Sequence, residues 1–315
     1  EGPNFDGHDF VGDAFSSGAA AVVIHDSEVA HHADGPSIVV DDTRDALARL
    51  GRAIWKEAVE QVDLHTIDIT GSNGKTTVKE MTAAIWRRRG ETFATPGNLN
   101  NEIGLPLTLC ALPHDAEHLV LELGANAPGE IADLIGMAPG SERIITSIGA
   151  AHLEGFGSMD GVRRAKSEIF EQSTPTTTAI VPFSERSKLY LDDFPGSSLT
   201  VGEEADADVR VEYDPAGRRA PSVVVEAKDQ SVELRVPIPG RHHAWNLGSA
   251  LATLVARDVP LDPDACQAAL DDLELPGGRW RTREVGELAF VDDAYNANPS
   301  STVASFRAFM EIDDE

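Results

Sequence analysis

An apolar run, Leu64 to Ile69, meets a helical pattern starting at Lys75, and between them lies Thr70-Gly71-Ser72-Asn73-Gly74. Val78, Met81, Ile85 and Trp86 recur at helical spacing after the junction, so the local order is strand, glycine loop, helix. Glycines at 71 and 74 allow backbone amides to turn inward, and the new helix directs its positive dipole end at an anion. Lys75 is placed to reach terminal phosphates and the Thr76 hydroxyl to hold Mg²⁺, with Ser72, Asn73 and Thr77 completing the loop. The general phosphate-loop pattern has its first glycine where this chain has Ile69, so the loop is a shortened variant. The bland alternative is a glycine turn capping an ordinary helix; Gly-Lys-Thr-Thr in the right order and context disfavours it.

Around this junction the signals alternate strand and helix. Strands are expected at Leu64 to Ile69, His118 to Leu123, Ile144 to Ile148 and Thr178 to Val181, the pattern of a parallel sheet covered on both faces. Asp208 to Tyr213, Val223 to Ala227 and Val232 to Val236 alternate polar and apolar around Asp214-Pro215-Ala216-Gly217, predicting an antiparallel hairpin or meander at the sheet's edge. A helix from about His242 to Ala256 follows. Before the junction, residues 1–61 read as a small, partial α/β unit with strands at Ala20 to Ile24 and Ser37 to Val40. Its last helix has Asp42 or Thr43 as N-cap and Leu47, Leu50, Ile54 and Trp55 on one face. After Pro276-Gly277-Gly278, the strand Leu288 to Val291 and one partial helix cannot bury themselves, so residues 279–315 are expected to open a further domain. The expectation is therefore an α/β protein. Its central domain, residues 62–278, carries the phosphate loop and a mainly parallel sheet with a short antiparallel section.

A chain of 315 residues is long enough for two or more domains, and 41% apolar content is ordinary for a globular one. No apolar run reaches membrane-spanning length and the N-terminus lacks signal-peptide character, which predicts a cytoplasmic protein without membrane insertion. Cys110 and Cys266 lie far apart in apolar helical patterns and read as buried thiols. The net charge of −27 excludes nonspecific binding to nucleic acid or anionic membranes. Lysine is confined to positions 56, 75, 79, 166, 188 and 228, and an acidic, lysine-poor surface suits a high-salt habitat. A phosphate ligand then needs a local cation, which raises the weight of each well-placed lysine and of Mg²⁺.

In an open parallel sheet, ligands gather beyond the carboxyl ends of the strands. Glu122 ends the apolar segment His118 to Leu121, where a buried carboxylate is costly unless compensated; Mg²⁺ beside a phosphate would compensate it. His152 falls in the loop after the third strand, at the same edge, where a neutral imidazole can ligate a divalent cation, and Glu154 stands beside it. Lys166 lies on a helix expected from Met159 to Gln172, bordering the apolar stripe of Val162, Ala165, Ile169 and Phe170. Spacing alone favours an aliphatic stem lying on the core with its ammonium in water.

Several stretches are more specific. Thr70 to Thr77, the Asn-rich run Thr95 to Gly104 (TPGNLNNEIG), Glu122 to Ile131, His152-Leu153-Glu154, Ala165 to Ile169, Gly240-Arg241-His242 through Asn246, and Asp292 to Pro299 (DDAYNANP) together resemble the Mur ligases, in order and over nearly the whole chain. The Asn-rich run and the Tyr-Asn-Ala-Asn-Pro stretch point to the branch that joins D-alanyl-D-alanine to UDP-N-acetylmuramoyl-tripeptide. The resemblance implies a UDP-sugar-binding N-terminal domain, a central ATPase and a Rossmann-like C-terminal domain. It implies an ADP-forming amide ligase working as a monomer on those two substrates, with ATP and two Mg²⁺ ions. By the resemblance, Lys75 holds the β and γ phosphates, Thr76 and Glu122 the first Mg²⁺, and His152 the second. Lys166 matches a carbamylated lysine that supports Mg²⁺, against the reading from spacing. Asn246 meets adenine, Arg279, Asp293 and Tyr295 meet the nucleotide, and Asn98 and Asn101 face the muramoyl peptide. His243 stands where the family often has Asn. The family's uridine-gripping segment lies partly before Glu1. Two other functions remain open: a related ligase for another cell-wall or polymer precursor, and a nucleotide switch without ligase chemistry, which leaves Lys166, His152 and the Asn-rich loops unused.

Overall fold

The computed structural model describes residues 6–150, 153–189, 191, 193–215, 221–286 and 288–311. The front unit pairs β1 (Val22–Ile24) with β2 (Ser37–Val39) in parallel, flanked by α1 (Val11–Ser16), α2 (Ser27–His32) and α3 (Thr43–Val62). The sequence reading omitted α2, although Asp26 caps it by accepting from the Glu28 and Val29 amides. Asp42 does the same for α3, accepting from Arg44 N at 2.7 Å and Asp45 N at 3.0 Å. The inward face of α3 is Ile54, Trp55, Ala58 and Val59. Leu50 is 51% exposed, which corrects the expected stripe.

The large sheet comprises β3 (His65–Thr70), β4 (Thr92–Ala94), β5 (His118–Glu122), β6 (Glu142–Ile145), β7 (Thr178–Pro182), β8 (Ser197–Gly202), β9 (Val209–Asp214), β10 (Ser222–Ala227) and β11 (Gln230–Arg235). Its order is β11-β10-β9-β8-β7-β6-β3-β5-β4, parallel from β4 to β9 and antiparallel through β9, β10 and β11. The expected edge meander is thus present; the centre of its first turn, residues 216–220, lies outside the described residues. β4 and β8 were not anticipated. β6 starts at Glu142 and stops at Ile145, earlier than expected; Thr146 N still donates to Thr70 O at 2.9 Å, while the Thr146 and Ser147 hydroxyls turn to the phosphate loop.

The connecting helices are α4 (Lys75–Arg87), α5 (Gly104–Cys110), α6 (Glu130–Met137), α7 (Leu153–Phe156), α8 (Met159–Ser167), α9 (Arg241–Ala256) and α10 (Pro263–Asp271). Side chains alternate across a strand, so β3 sends Ile67 and Ile69 into a core with α4, α9 and α10, while β5 sends Leu119 and Leu121 into a second core with α5, α6 and α8. Trp86 of α4 closes the first core, its indole N–H donating to Thr253 Oγ1 at 2.9 Å. Cys266 is buried, but Cys110, at the end of α5, is exposed, contrary to expectation.

The sheet interior also holds charge. Arg143, fully buried, donates from Nε to Gly140 O at 2.9 Å and from Nη1 to Ile169 O at 2.7 Å, with Asp68 Oδ2 3.9 Å from Nε. Asp68 Oδ2 accepts from Gly140 N at 2.6 Å while Oδ1 has no partner, and burial pushes this carboxyl up to about 7 against the pull of Arg143.

Beyond Gly278 the chain forms an antiparallel hairpin, β12 (Arg281–Val285) and β13 (Leu288–Asp292), followed by α11 (Pro299–Met310). The single strand expected here is the second of a pair. Among the described residues no helix is long and apolar enough to cross a membrane.

Candidate active site

Strand β3 lies between β5 and β6, in a register that pairs Ile69 with Glu122 and Thr70 with Ile145. The carboxyl ends of three neighbouring strands therefore finish together, and the phosphate loop leaves from the middle one.

Gly71 has φ +147° and Gly74 φ +84°. A Cβ on Gly71 would lie 2.1 Å from Thr146 Oγ1, and one on Gly74 would lie 2.7 Å from Asn246 Oδ1. The loop is held by the end of β6: Thr146 Oγ1 donates to Asn73 O at 2.6 Å, Asn73 N donates to Ser147 Oγ at 2.9 Å, and Ser72 N donates to Ser147 O at 2.9 Å. Gly149 N donates to Ser72 Oγ at 2.9 Å, tying the next loop to the same scaffold. Gly74 caps α4 without a side-chain acceptor, so amides at this helix start face the loop with their dipole unanswered.

Lys75 folds back to donate from Nζ to Gly71 O at 2.9 Å. Burial pushes its pKa down, the Glu122 carboxylate opposes this, and Arg279 adds to the depression. Lys75 and Glu122 thus share one electrostatic neighbourhood. Glu122 is buried at 3% exposure; Oε1 accepts from Asn100 Nδ2 at 2.8 Å and Oε2 has no partner. A buried carboxylate oxygen left bare, beside a glycine cradle and an open helix start, has the chemistry to receive a hard cation accompanying a phosphate. These features fit Mg²⁺ and a polyphosphate.

Thr76 is buried, and its Oγ1 accepts from Arg279 Nη2 at 3.0 Å. A hydroxyl oxygen has two lone pairs, so one is left for a metal. The Arg279 guanidinium lies 3.6 Å from the centre of the Tyr295 ring. Asp293 Oδ1 accepts from Trp280 N at 3.2 Å and sits near His242, whose pKa burial lowers to about 4 against the pull of Asp293. His243 is buried with both ring nitrogens unpartnered, and burial holds it well below its ordinary value. The segment after Gly278 therefore reaches the phosphate loop, and does so again at Asn73: Asn298 Nδ2 donates to Asn73 Oδ1 at 2.6 Å, and Asn73 Nδ2 donates to Ser300 Oγ at 3.1 Å.

Lys166 is 2% exposed, which overturns the reading of an ammonium in water. Its Nζ lies 5.4 Å from the Phe156 ring centre. Burial, then Lys75, lowers its pKa to about 7, while Glu168 and Glu130 oppose the shift. A lysine in this state carries a large fraction of free amine at neutral pH. Its helix is also shorter than expected, ending at Ser167 and continuing as a 3₁₀ turn, Glu168–Phe170.

In the Asn-rich loop, Asn98 is exposed and Asn101 uses Oδ1 to cap α5, accepting from Gly104 N at 2.9 Å. Asn100, which the sequence reading passed over, is the residue that reaches Glu122. Thr146, Ser147, Asn298 and Ser300 were passed over too; no pattern of residue types marks them, and only strand register brings them to the loop. His152 lies outside the described residues, as does the Glu154 side chain. Among the described residues no three or more His, Cys, Asp or Glu cluster as a ready-made metal site.

The Mur ligase middle domain pattern matches residues 69–254, from the end of β3 through the whole phosphate loop and into α9. The chain belongs to the Mur ligase family. This Mur ligase is 35% identical over 316 residues to the UDP-N-acetylmuramoyl-tripeptide–D-alanyl-D-alanine ligase of Escherichia coli, an alignment covering 99% of the chain and 68% of that protein. It superposes on MurF from Acinetobacter baumannii with TM-score 0.88 at 32% identity, covering 99% of this chain and 67% of the other. With MurF ligase from Thermotoga maritima in complex with ADP the TM-score is 0.85 at 29% identity, over 99% of this chain and 70% of that one. The Mur ligase fold predicted from the motifs is the one observed.

Proposed function

We propose that this Mur ligase is an ADP-forming amide ligase that adds D-alanyl-D-alanine to UDP-N-acetylmuramoyl-tripeptide, acting as a cytoplasmic monomer in peptidoglycan precursor synthesis. The observation that carries the proposal is the bare Glu122 Oε2 at the sheet edge where Lys75 leaves the glycine loop. The likeness to curated ligases of that name over 99% of the chain supports the choice of substrates.

On this reading, residues 1–61 belong to the UDP-sugar unit, 62–278 to the ATP-binding unit and 279–315 to the ligase unit that meets the nucleotide from the other side. The amides at the start of α4 and Lys75 bind the β and γ phosphates of ATP. Thr76 and Glu122 would hold one Mg²⁺, and His152 with a carbamylated Lys166 would support a second; bound there, the metals neutralise charge on the phosphate oxygens. Asn246 and Arg279, with Asp293 and Tyr295, frame the nucleotide. Asn98 and the free amide nitrogen of Asn101 face the muramoyl peptide.

A carboxylate cannot expel oxide, so it needs activation. The γ-phosphoryl group passes to the terminal carboxylate of the tripeptide, giving an acyl phosphate and ADP. The amine of D-alanyl-D-alanine then attacks the acyl carbon, phosphate leaves, and a proton is lost as the amide forms. Lys75 counters the charge that builds on the transferring group, and the work left to the protein is to hold three substrates in line.

The test is ADP release by the full-length protein given ATP, UDP-N-acetylmuramoyl-tripeptide and D-alanyl-D-alanine, with each omitted in turn. A ligase sustains ADP release over many turnovers only when both other substrates are present; without D-alanyl-D-alanine it gives at most one ADP per site, held with the acyl phosphate. Release indifferent to them indicates a nucleotide switch, and release with a different amine or carboxylate indicates a ligase for another precursor.

A further inference from the structure

We infer that Asn100 is a positioning residue for Glu122, fixing one carboxylate oxygen so that the other points into the nucleotide site as a single-oxygen metal ligand. The inference rests on the proposed Mg²⁺ role of Glu122. A glutamate side chain has three rotatable bonds, and a lone carboxylate at a strand end can turn either oxygen, or both, toward a cation. Here Asn100 Nδ2 donates to Oε1 at 2.8 Å, and Oε2 is the oxygen left bare.

Asn100 is itself held in place. Its carbonyl accepts from Gly124 N at 2.8 Å, two residues beyond Glu122, so backbone and side chain of one loop residue grip both sides of the strand end. A Cβ on Gly124 would lie 2.9 Å from Asn100 Oδ1, so the bare glycine is what allows the approach. Thr95 Oγ1 accepts from Glu122 N at 2.9 Å, adding a third tie from the same loop. On the far side, Asn101 Oδ1 anchors the loop to the start of α5. The donor is an amide, which adds no charge and cannot compete with a cation for the free oxygen. Residues that orient a metal ligand in this way typically change metal affinity 10- to 100-fold when removed.

The experiment measures Mn²⁺ affinity by electron paramagnetic resonance in the presence of saturating ADP, with ADP affinity in EDTA and metal-free melting temperature measured alongside. Asn100→Ala is expected to weaken Mn²⁺ about 10- to 100-fold while ADP affinity in EDTA changes less than about threefold. Gly124→Ala, which displaces Asn100 without removing its amide, is expected to weaken Mn²⁺ in the same direction, and it serves as the deciding variant should Asn100→Ala fail to fold. Glu122→Ala separates the two layers of the argument. If it loses Mn²⁺ affinity and both other variants keep the parent value, Asn100 is not a positioning residue. If Glu122→Ala also keeps the parent value, the metal role of Glu122 is wrong. An equal loss of Mn²⁺ and of metal-free ADP affinity in Asn100→Ala assigns the residue to loop folding and overturns the inference.

Discussion

The tightest point of the phosphate loop is Gly71, and replacing it with alanine gives a perturbation of calculable size. The backbone there has φ +147°, in a region that L side chains rarely adopt, at a cost of about 1–3 kcal/mol. The new methyl would also lie 2.1 Å from Thr146 Oγ1, which cannot swing aside without giving up its 2.6 Å hydrogen bond to Asn73 O, worth about 1 kcal/mol. Together the two terms give roughly 2–4 kcal/mol. If the folded scaffold resists, the cost appears as a loop out of place and ADP affinity falls about 30- to 1,000-fold; if it yields, the melting temperature drops instead. Titration calorimetry with ADP and thermal melting distinguish these. The double variant Gly71→Ala/Thr146→Ala sharpens the test: Thr146→Ala should weaken ADP binding in the parent but restore part of it in the Gly71→Ala background, because it removes the obstructing oxygen. Strictly additive effects, or a Gly71→Ala variant with normal ADP affinity and normal melting, would refute the steric argument.

Lys75→Ala should cut ADP release in the substrate-dependent assay at least about 100-fold, and near-normal release would remove Lys75 from its role. Lys166, lowered to about 7, has most of its amine free at pH 8, so ¹³C-bicarbonate should yield a carbamate carbon signal that Lys166→Arg lacks; the same signal in both proteins would refute carbamylation of this residue. Asp68 is raised from 3.8 to about 7, so between those values the unfolded chain has released the proton while the folded chain keeps it, and stability falls as pH rises through that window, by at most about 4 kcal/mol. Asp68→Asn, which cannot titrate, should lose that slope in urea denaturation at pH 5, 6.5 and 8; parallel slopes in the two proteins would contradict the shift.

The central strands were readable because both physical signals agreed: short, largely apolar runs that are buried almost throughout on β3 and β5, and a loop chemistry that only a strand-to-helix junction supports. β4 and β8 escaped for opposite reasons. Thr92–Ala94 is three residues long and partly buried, too short for periodicity, and Ser197–Gly202 opens with two serines that read as loop. Helical spacing put Lys166 at the border of an apolar stripe, and that much was right. What spacing could not show is that Phe156, from a separate short helix, lies against the ammonium and that Lys75 is near enough to disfavour its charge. In the Asn-rich loop, residue types identified a polar binding segment but not which asparagine faces inward. That depends on how the backbone turns: Asn101 is spent within the motif on Gly104 N, and Asn100 is admitted by Gly124, which is remote from the motif in sequence.

The handclasp between Asn73 and the start of α11 has a thermodynamic corollary. Because Asn298 and Ser300 grip the same residue whose backbone shapes the anion cradle, any ligand that shifts the loop tip must alter the docking free energy of the segment after Gly278. By linkage, whatever repositions that segment alters nucleotide affinity by an equal factor. Occupancy and closure are then one equilibrium observed from two ends, and severing the Asn73 contact would leave Arg279 on Thr76 as a remaining thread between them.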